Sequence, residues 1–400
     1  MLLFAQDRAS TLSFDFPLSR TAALERLAAF VPEAGRTYAE RRGQDAGPGR
    51  HQAVSRLSAS LRRRLISEEE VARAVVTAHG SDAAAKFLQE LFWRTYWKGW
   101  LEQHPTVWRT WQQACAYYLD KIPAGYARAV AGRTGIDAFD GWVQELCDTG
   151  YLHNWARMQF ASIWVFTLGL PWELGAAFTL THLVDADPAS NTLSWRWVAG
   201  LQTAGKYYLA DAQRIQRQTG GRFNPQGLAT QAHVPRETSV IETRDLLPPT
   251  PIDLRAPTLL LLTPEDLSLE TQSALDALPV ARVVACRSHC HGAADIAAVA
   301  DGLQRASSHW QVPAAWLDDL GDVAALANTQ SLTQIVTGYA AVGPTADALA
   351  EHRAMSVLRI TEYRRSWDER AWPLCRKGYF AFAKSIPMLL AAAGIGSSEE

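Results

Sequence analysis

The sequence predicts an all-helical domain followed by a smaller α/β domain built on a parallel sheet. Three observations carry that expectation. Between about residues 20 and 235, large apolar side chains recur at helical spacing, as in AAKFLQELFWRTYWKGWLEQH (84–104), and strand-like alternation is missing before about residue 255. A stretch rich in proline and charge, VPRETSVIETRDLLPPTPIDLRAP (234–257), then breaks the pattern. Beyond it, short apolar or β-branched runs alternate with helical stretches, the order that builds a parallel sheet. The expected boundaries are 1–235 for the helical domain, 236–256 for the linker and 257–400 for the α/β domain.

In the first part, SEEEVARAVVTA (67–78) places Ser67 and Glu70 at capping-box spacing ahead of an apolar-periodic run. Eleven of the fifteen tryptophans fall between Trp93 and Trp197. Trp100, Trp108 and Trp142 read as core packing, and a planar aromatic cofactor would account for part of the excess. In the second part, TLLLL (258–262), ARVVAC (281–286), TQIVTGY (333–339) and SVLRITEY (356–363) are predicted strands, with a weaker one at PAAWLD (313–318). AADIAAVADGLQRA (293–306) and PTADALAEHRA (344–354) are predicted helices between them. No G-x-G-x-x-G or Walker pattern accompanies these elements, so a dinucleotide or triphosphate site in this half has no sequence support.

Charge and cysteine content narrow the function. With 39 basic and 41 acidic residues, no global field draws the chain onto nucleic acid, and any such contact needs a local basic patch. Arginine predominates among the basic residues, which suits bidentate phosphate and carboxylate contacts. The five cysteines are scattered, and the pair Cys286 and Cys290, beside His289 and His291, does not have a zinc or iron–sulfur spacing; no metal site is expected there. Without a leader-like apolar core at the amino terminus or any membrane-length apolar run, the expectation is a soluble, cytoplasmic protein that makes no membrane contact.

The densest chemistry lies in LVDADPASNTLSWRW (183–197). Asp185 and Asp187 sit among apolar neighbours, and buried acids need a cation or a ligand's donors. Upstream, in TGYLHNWARM, Asn154 and Arg157 are one helical turn apart, and Arg157 is the candidate cation for Asp185.

This constellation resembles the flavin-binding helical domain of the DNA photolyase and cryptochrome family, whose pattern is D-G-D, a nearby Asn and W-x-W after an H-N-x-x-R-M helix. Further motifs follow the family's order: Tyr38 and Arg42 in TYAERR, VSRLSASL (54–61), LQELFWRTYW (88–97) and GRTGIDAFD (132–140). The resemblance covers roughly residues 36–200. Family members carry their α/β antenna domain before the helical domain; here TLLLLTPEDLSLE, similar to the family's first strand, comes after it. The resemblance therefore implies a domain-permuted member, and it leaves the antenna chromophore unspecified.

The resemblance further implies FAD as cofactor. Tyr38 and the loop Val54, Ser55, Arg56, Leu57 and Ser58 would face its diphosphate, with Val54 where Thr is usual. Phe87, Asn154, Arg157, Asp185, Ala186, Asp187 and Asn191 would surround the rest, with Ala186 in place of Gly and Asn191 facing flavin N5. Glu90 would hydrogen-bond a pyrimidine dimer, Trp93 and Trp197 would flank it, and Met158 belongs to the same pocket. Arg42, Arg94 and Trp97 would contact DNA near its mouth. Trp195 and Trp172 match two members of an electron-hopping chain, with Tyr118 or Tyr117 at the outer position. After Trp197 the family's Arg is replaced by Leu209, while Lys206, Arg214 and Arg217 lie in another register. The implied activity is blue-light repair of cyclobutane pyrimidine dimers in single-stranded or flipped-out DNA. The alternative is a cryptochrome-like photoreceptor that binds FAD without repair. The oligomeric state is left open.

Overall fold

Helix-forming sequence fills the first half of the chain in the computed structural model, which describes residues 16–203, 205–237, 240–355 and 360–396. The amino-terminal stretch read as lacking a leader, and residues 356–359 of the last predicted strand, lie outside the described residues. Helices α1 (Arg20–Phe30), α2 (Arg36–Arg41) and α3 (Ser58–Arg62) lead into α4 (Glu68–Gln103). The Ser67 hydroxyl accepts from the Glu70 amide while the Glu70 carboxylate accepts from the Ser67 amide, so the predicted capping box opens α4. Gly80, at φ 72°, breaks the helical path of α4 near its middle, a conformation that costs a residue with a Cβ.

Then come α5 (Thr106–Leu119), α6 (Tyr126–Val130), α7 (Asp137–Thr149), α8 (Asn154–Ser162), α9 (Trp172–His182), α10 (Pro188–Val198) and α11 (Ala212–Gln218). A π turn, Ile163–Thr167, extends α8. Irregular chain follows Gln218 until β1 (Thr258–Leu262), and residues 246–251 hold three of its prolines. Among the described residues, the predicted linker is therefore part of a longer stretch without helix or strand.

The second half is β1, β2 (Val280–Cys286), α12 (Ala293–Trp310), β3 (Ala314–Leu317), α13 (Leu320–Thr329), β4 (Gln334–Gly338), α14 (Pro344–Met355) and β5 (Ile360–Tyr363). All four strand pairings are parallel, in the order β3-β2-β1-β4-β5. β1, one threonine and four leucines, is buried along its length, as a strand covered on both faces must be. The chain then returns to the helical half as α15 (Ser366–Ala371), α16 (Tyr379–Ala383) and α17 (Ile386–Ala392). Gly99 of α4 admits this return: a Cβ there would lie 2.6 Å from the Trp372 ring.

Charge joins the two halves. Arg62 reaches Glu265 at 2.8 Å, Arg63 reaches Asp295 at 2.7 Å, and Arg64 reaches Asp368 at 2.6 Å. Glu265 and Asp266 follow β1 at the carboxyl edge of the sheet, where open α/β folds place ligands. Here that edge receives the arginines of the helical half. On α4, Glu102 accepts from the Tyr339 hydroxyl at 2.8 Å and from the Val342 amide at 2.6 Å.

Candidate functional site

Two loops and one helix end bring the predicted cofactor residues together. His153 caps α8 by accepting from the Trp155 amide, which sets Arg157 one turn in. Arg157 then donates to the Leu152 carbonyl at 2.9 Å and to Asp185 at 2.8 Å, and lies over the Tyr151 ring. Asp187 caps α10 by accepting from the Ser190 amide at 2.7 Å. Between the two acids Ala186 takes φ 39°, a left-handed conformation that Gly would hold without strain.

Asp187 also receives Arg94. Burial alone would raise its carboxyl, but Arg94, Lys98 and Arg62 overcome that and hold it well below the usual carboxylate range. Arg94, predicted at a pocket mouth, is instead half-buried and committed to Asp187, Glu68 and the Leu61 carbonyl. Trp97, predicted to meet DNA, is likewise in the core and packs on Trp93 and Tyr96.

On α10, the Trp195 indole donates to the Thr179 hydroxyl at 2.9 Å, and that hydroxyl donates to Asn191 Oδ1 at 2.8 Å. Asn191 Nδ2 donates to the Ala176 carbonyl, so its amide is fixed from two sides while the residue stays half-exposed. Thr179 was not legible as a site residue, because nothing in its local sequence sets it apart.

The loop 54–58 borders a cavity of about 890 Å³. Val54, Ser55 and Arg56 line it together with Phe16, Arg26, Phe30 and His51. Phe30 packs on Phe87 at 5.3 Å and on Tyr38 at 6.1 Å. Phe16 packs on Tyr151, the ring under Arg157. Arg56 turns the backbone at φ 55°, and the Ser58 hydroxyl is buried without a protein partner. Leu57 is a core residue, whereas Asn154 is exposed.

The lesion-side residues are split. Arg42 pairs with Glu90 on α4. Trp93, one turn on, is half-buried, and Tyr379 of α16 stacks on its ring at 3.4 Å. Met158 and Trp197 are half-buried on α8 and α10, and Trp197 packs on Tyr208. Of the electron-chain residues, Trp195 meets Trp164 at 6.0 Å, and Trp164 meets Tyr126 at 5.9 Å. Gly175 makes room at that junction, since a Cβ would lie 2.3 Å from the Trp195 ring. Trp172 is buried with Arg196 over its ring. Tyr118 is half-buried; burial and then Glu173 raise its phenol.

Fold and site together define a two-part flavoprotein, a helical FAD-binding half joined to a parallel α/β half. Residues 87–252 match the family model described as the FAD binding domain of DNA photolyase. Residues 87–252 thus carry an FAD-binding domain of the DNA photolyase type, and the cofactor is FAD. It is 29% identical over 229 residues to the deoxyribodipyrimidine photo-lyase of Escherichia coli, covering 54% of this chain and 46% of that one. With the Thermus thermophilus deoxyribodipyrimidine photo-lyase it shares 32% over 213 residues, 52% of this chain and 48% of the relative. The chain thus spans about half the length of the curated relatives it matches. Among solved structures, a bacterial class III photolyase from Agrobacterium tumefaciens aligns at TM-score 0.40 and 26% identity, over 50% of this chain and 43% of that chain.

The residues present fit the cofactor. The cavity lies within the size range of cofactor pockets, and its wall carries the Ser19 and Ser55 hydroxyls and two arginines, Arg26 and Arg56, alongside Glu25 and Glu33. The partnerless Ser58 hydroxyl at the head of α3 is a donor suited to an anionic group. Among the described residues no helix is long and apolar enough to cross a membrane.

Proposed function

We propose that this protein is a light-driven lyase that splits cyclobutane pyrimidine dimers in DNA. The observation that carries the proposal is Glu90, half-exposed on α4 one turn from Trp93, in a chain whose curated relatives are named deoxyribodipyrimidine photo-lyase. In this reading Val54, Ser55, Arg56 and Ser58 hold the diphosphate, with Tyr38 and Phe87 behind them. The Arg157–Asp185 pair and Asn191 orient the ring system. FAD, when bound and reduced, supplies the light-excited electron that enters the dimer. Glu90, released from Arg42 and carrying a proton, donates a hydrogen bond to the pyrimidine carbonyl on which charge develops, between walls formed by Trp93, Met158 and Trp197. The two ring bonds break, the electron returns, and no net redox change results.

The substrate is a dimer in single-stranded DNA or flipped from a duplex, because electron transfer needs close approach. Lys206, Arg214 and Arg217 are exposed and supply local phosphate contacts on an otherwise near-neutral chain. The α/β half is the counterpart of the family's antenna domain, placed after the helical half.

A second reading, a photoreceptor that binds FAD without repair, is favoured by Tyr379, which covers the Trp93 face. An absorption spectrum followed by blue-light repair of a dimer-bearing oligonucleotide separates the two. Glu90→Ala should lower the repair yield per photon, by an effect worth ~1–3 kcal/mol, and leave the flavin spectrum unchanged. A wild type with intact reduced flavin and zero repair points to the receptor.

A further inference from the structure

Behind the cavity wall, Asp45 and His51, six residues apart, meet Glu145 of α7 in one enclosed place. Asp45, His51 and Glu145 are 1%, 4% and 3% exposed. One ligand atom from each lies within 4.8 Å of the others. His51 Nε2 is 2.7 Å from Glu145 Oε1, so a proton on Nε2 is donated to that carboxylate and Nδ1 keeps its lone pair. Nδ1 is buried with no hydrogen-bond partner, 3.8 Å from Asp45 Oδ1. That gap is too long for a hydrogen bond. Two ligands on one ion in a tetrahedral shell, each bond about 2.0–2.2 Å, lie roughly 3.3–3.6 Å apart, so a shift of a few tenths of an ångström would let both reach the same ion.

Glu145 Oε2 is also buried without a hydrogen-bond partner. Asp45 is fixed from behind: the Trp142 indole donates to Oδ2 at 2.9 Å, the Gly47 amide donates to Oδ1 at 3.2 Å, and Arg222 pairs with Oδ2 at 2.8 Å. Such outer contacts are what orient metal ligands. The His153 ring stacks on His51 at 5.6 Å. Its Nδ1 accepts from the Trp155 amide, so its Nε2 carries the proton, and that atom is buried with no partner. A donor there suits a water on a bound ion.

Charge points the same way. Two carboxylates face one guanidinium, Arg222, which leaves one negative charge uncompensated if both histidines are neutral. His51 also lines the 890 Å³ cavity, beside the loop 54–58 that holds an anionic diphosphate in the proposed function. A doubly charged cation is offset there from both sides.

We infer that Asp45 and His51 Nδ1 hold one divalent first-row transition-metal ion, with Glu145 fixing the His51 ring from its Nε2 side. One imidazole nitrogen with a carboxylate suits Zn²⁺ or Mn²⁺ better than Mg²⁺ or Ca²⁺, which prefer all-oxygen shells. The ion closes the 45–51 segment, which Glu145 ties to α7, and so sets the start of the loop 54–58. The competing arrangement is a proton on His51 Nδ1 directed at Asp45, with no metal.

The test uses the full chain, stripped with a chelator and freed of flavin, then titrated with Zn²⁺ by calorimetry and with Co²⁺ as an optical probe. The expected result is one equivalent of Zn²⁺ per chain and cobalt d–d absorption without a thiolate charge-transfer band. His51→Ala and Asp45→Asn should each weaken Zn²⁺ binding at least tenfold, while Cys290→Ser leaves it unchanged. No binding by the wild type, a thiolate band that places the ion on cysteine, or full affinity in both ligand variants overturns the inference. The cobalt spectrum of the wild type decides the ligand type even if a variant fails to fold.

Discussion

Tyr379 lies flat against Trp93, with ring centroids 3.4 Å apart and planes 10° from parallel. Its hydroxyl donates to the Gln89 carbonyl at 2.7 Å, which holds the ring in place. Burial and the nearby Glu90 both push its phenol upward, so it stays neutral and acts as an apolar plate. In the repair reading this plate occupies a face on which a pyrimidine would stack. Tyr379→Leu should then raise affinity for a dimer-bearing oligonucleotide by about 2–10-fold, the equivalent of one aromatic contact. Fluorescence anisotropy measures it, and unchanged affinity removes Trp93 as a wall.

Asp185→Ala should weaken retention of FAD. The substitution strips the partner 2.8 Å from Arg157 and leaves a half-buried guanidinium over Tyr151. Loss of a charge-assisted pair of this kind costs about 1.5–3 kcal/mol, a drop in affinity of roughly ten- to a hundredfold. Equilibrium dialysis against free FAD gives the number, and wild-type retention in the variant would detach this pair from the cofactor.

Photoreduction of the flavin tests the aromatic route. Trp195→Phe should slow it strongly, because phenylalanine is much harder to oxidise while packing survives. Two onward steps then compete: Trp172, as expected from the family, and Trp164, whose ring meets Trp195 at 6.0 Å. Trp164→Phe and Trp172→Phe, compared under blue light with an external reductant, show which carries the charge. Wild-type rates in the Trp195→Phe protein would dismiss the route through α10.

Ala186→Gly should stabilise the protein. At φ 39° alanine bears a left-handed strain of roughly 1–2 kcal/mol, and the extra backbone freedom of glycine in the unfolded chain returns roughly 0.5–1 kcal/mol of it. A net gain of up to about 1 kcal/mol by denaturant titration is expected. A loss would mean that the Cβ makes contacts that outweigh the strain.

Acid should act through Glu68. Burial raises its carboxyl, but Arg64, Arg94 and Lys98 overcome that and bring it down to about 2 from an ordinary 4.5. A lowered folded-state value means that the unfolded chain takes up the proton first. The stability Glu68 contributes is complete above about pH 4.5 and is lost as pH falls toward 2. Glu68→Gln should cost about 3 kcal/mol at neutral pH and flatten the fall of stability across that window. Tryptophan fluorescence during urea unfolding at several pH values reads both, and an unaltered slope would contradict the assignment.

Sequence patterns revealed what is local. The capping box at Ser67 and Glu70 and the leucine run TLLLL of β1 each depend on neighbours a few residues away, so spacing alone exposed them. The Arg157–Asp185 partnership was readable because both ends sit in recognisable motifs. Three adjacent arginines, by contrast, look like a solvated charge run until the fold brings carboxylates from over 200 residues away onto them. Arg94 misled for the same reason, as its partners Glu68 and Asp187 lie on either side in sequence and far apart. Helical periodicity marks Trp164 and Trp172 alike as buried and cannot say which ring touches Trp195. Asp45, His51 and Glu145 carry no ligand spacing at all, since the chain returns nearly a hundred residues later to complete the group.

Arg62 and Arg63 leave one short turn in different directions and dock on Glu265 and Asp295 of the opposite half, while Arg64 beside them pairs with Asp368 of the returning helix α15. Such a turn works like a two-pronged plug whose socket is shaped by the sheet edge, and neither prong's partner lies in the peptide between residues 219 and 257. That peptide is a tether. A protease cut within it would leave two fragments that travel as one particle, and the same two pieces joined in the reverse order would find the same socket.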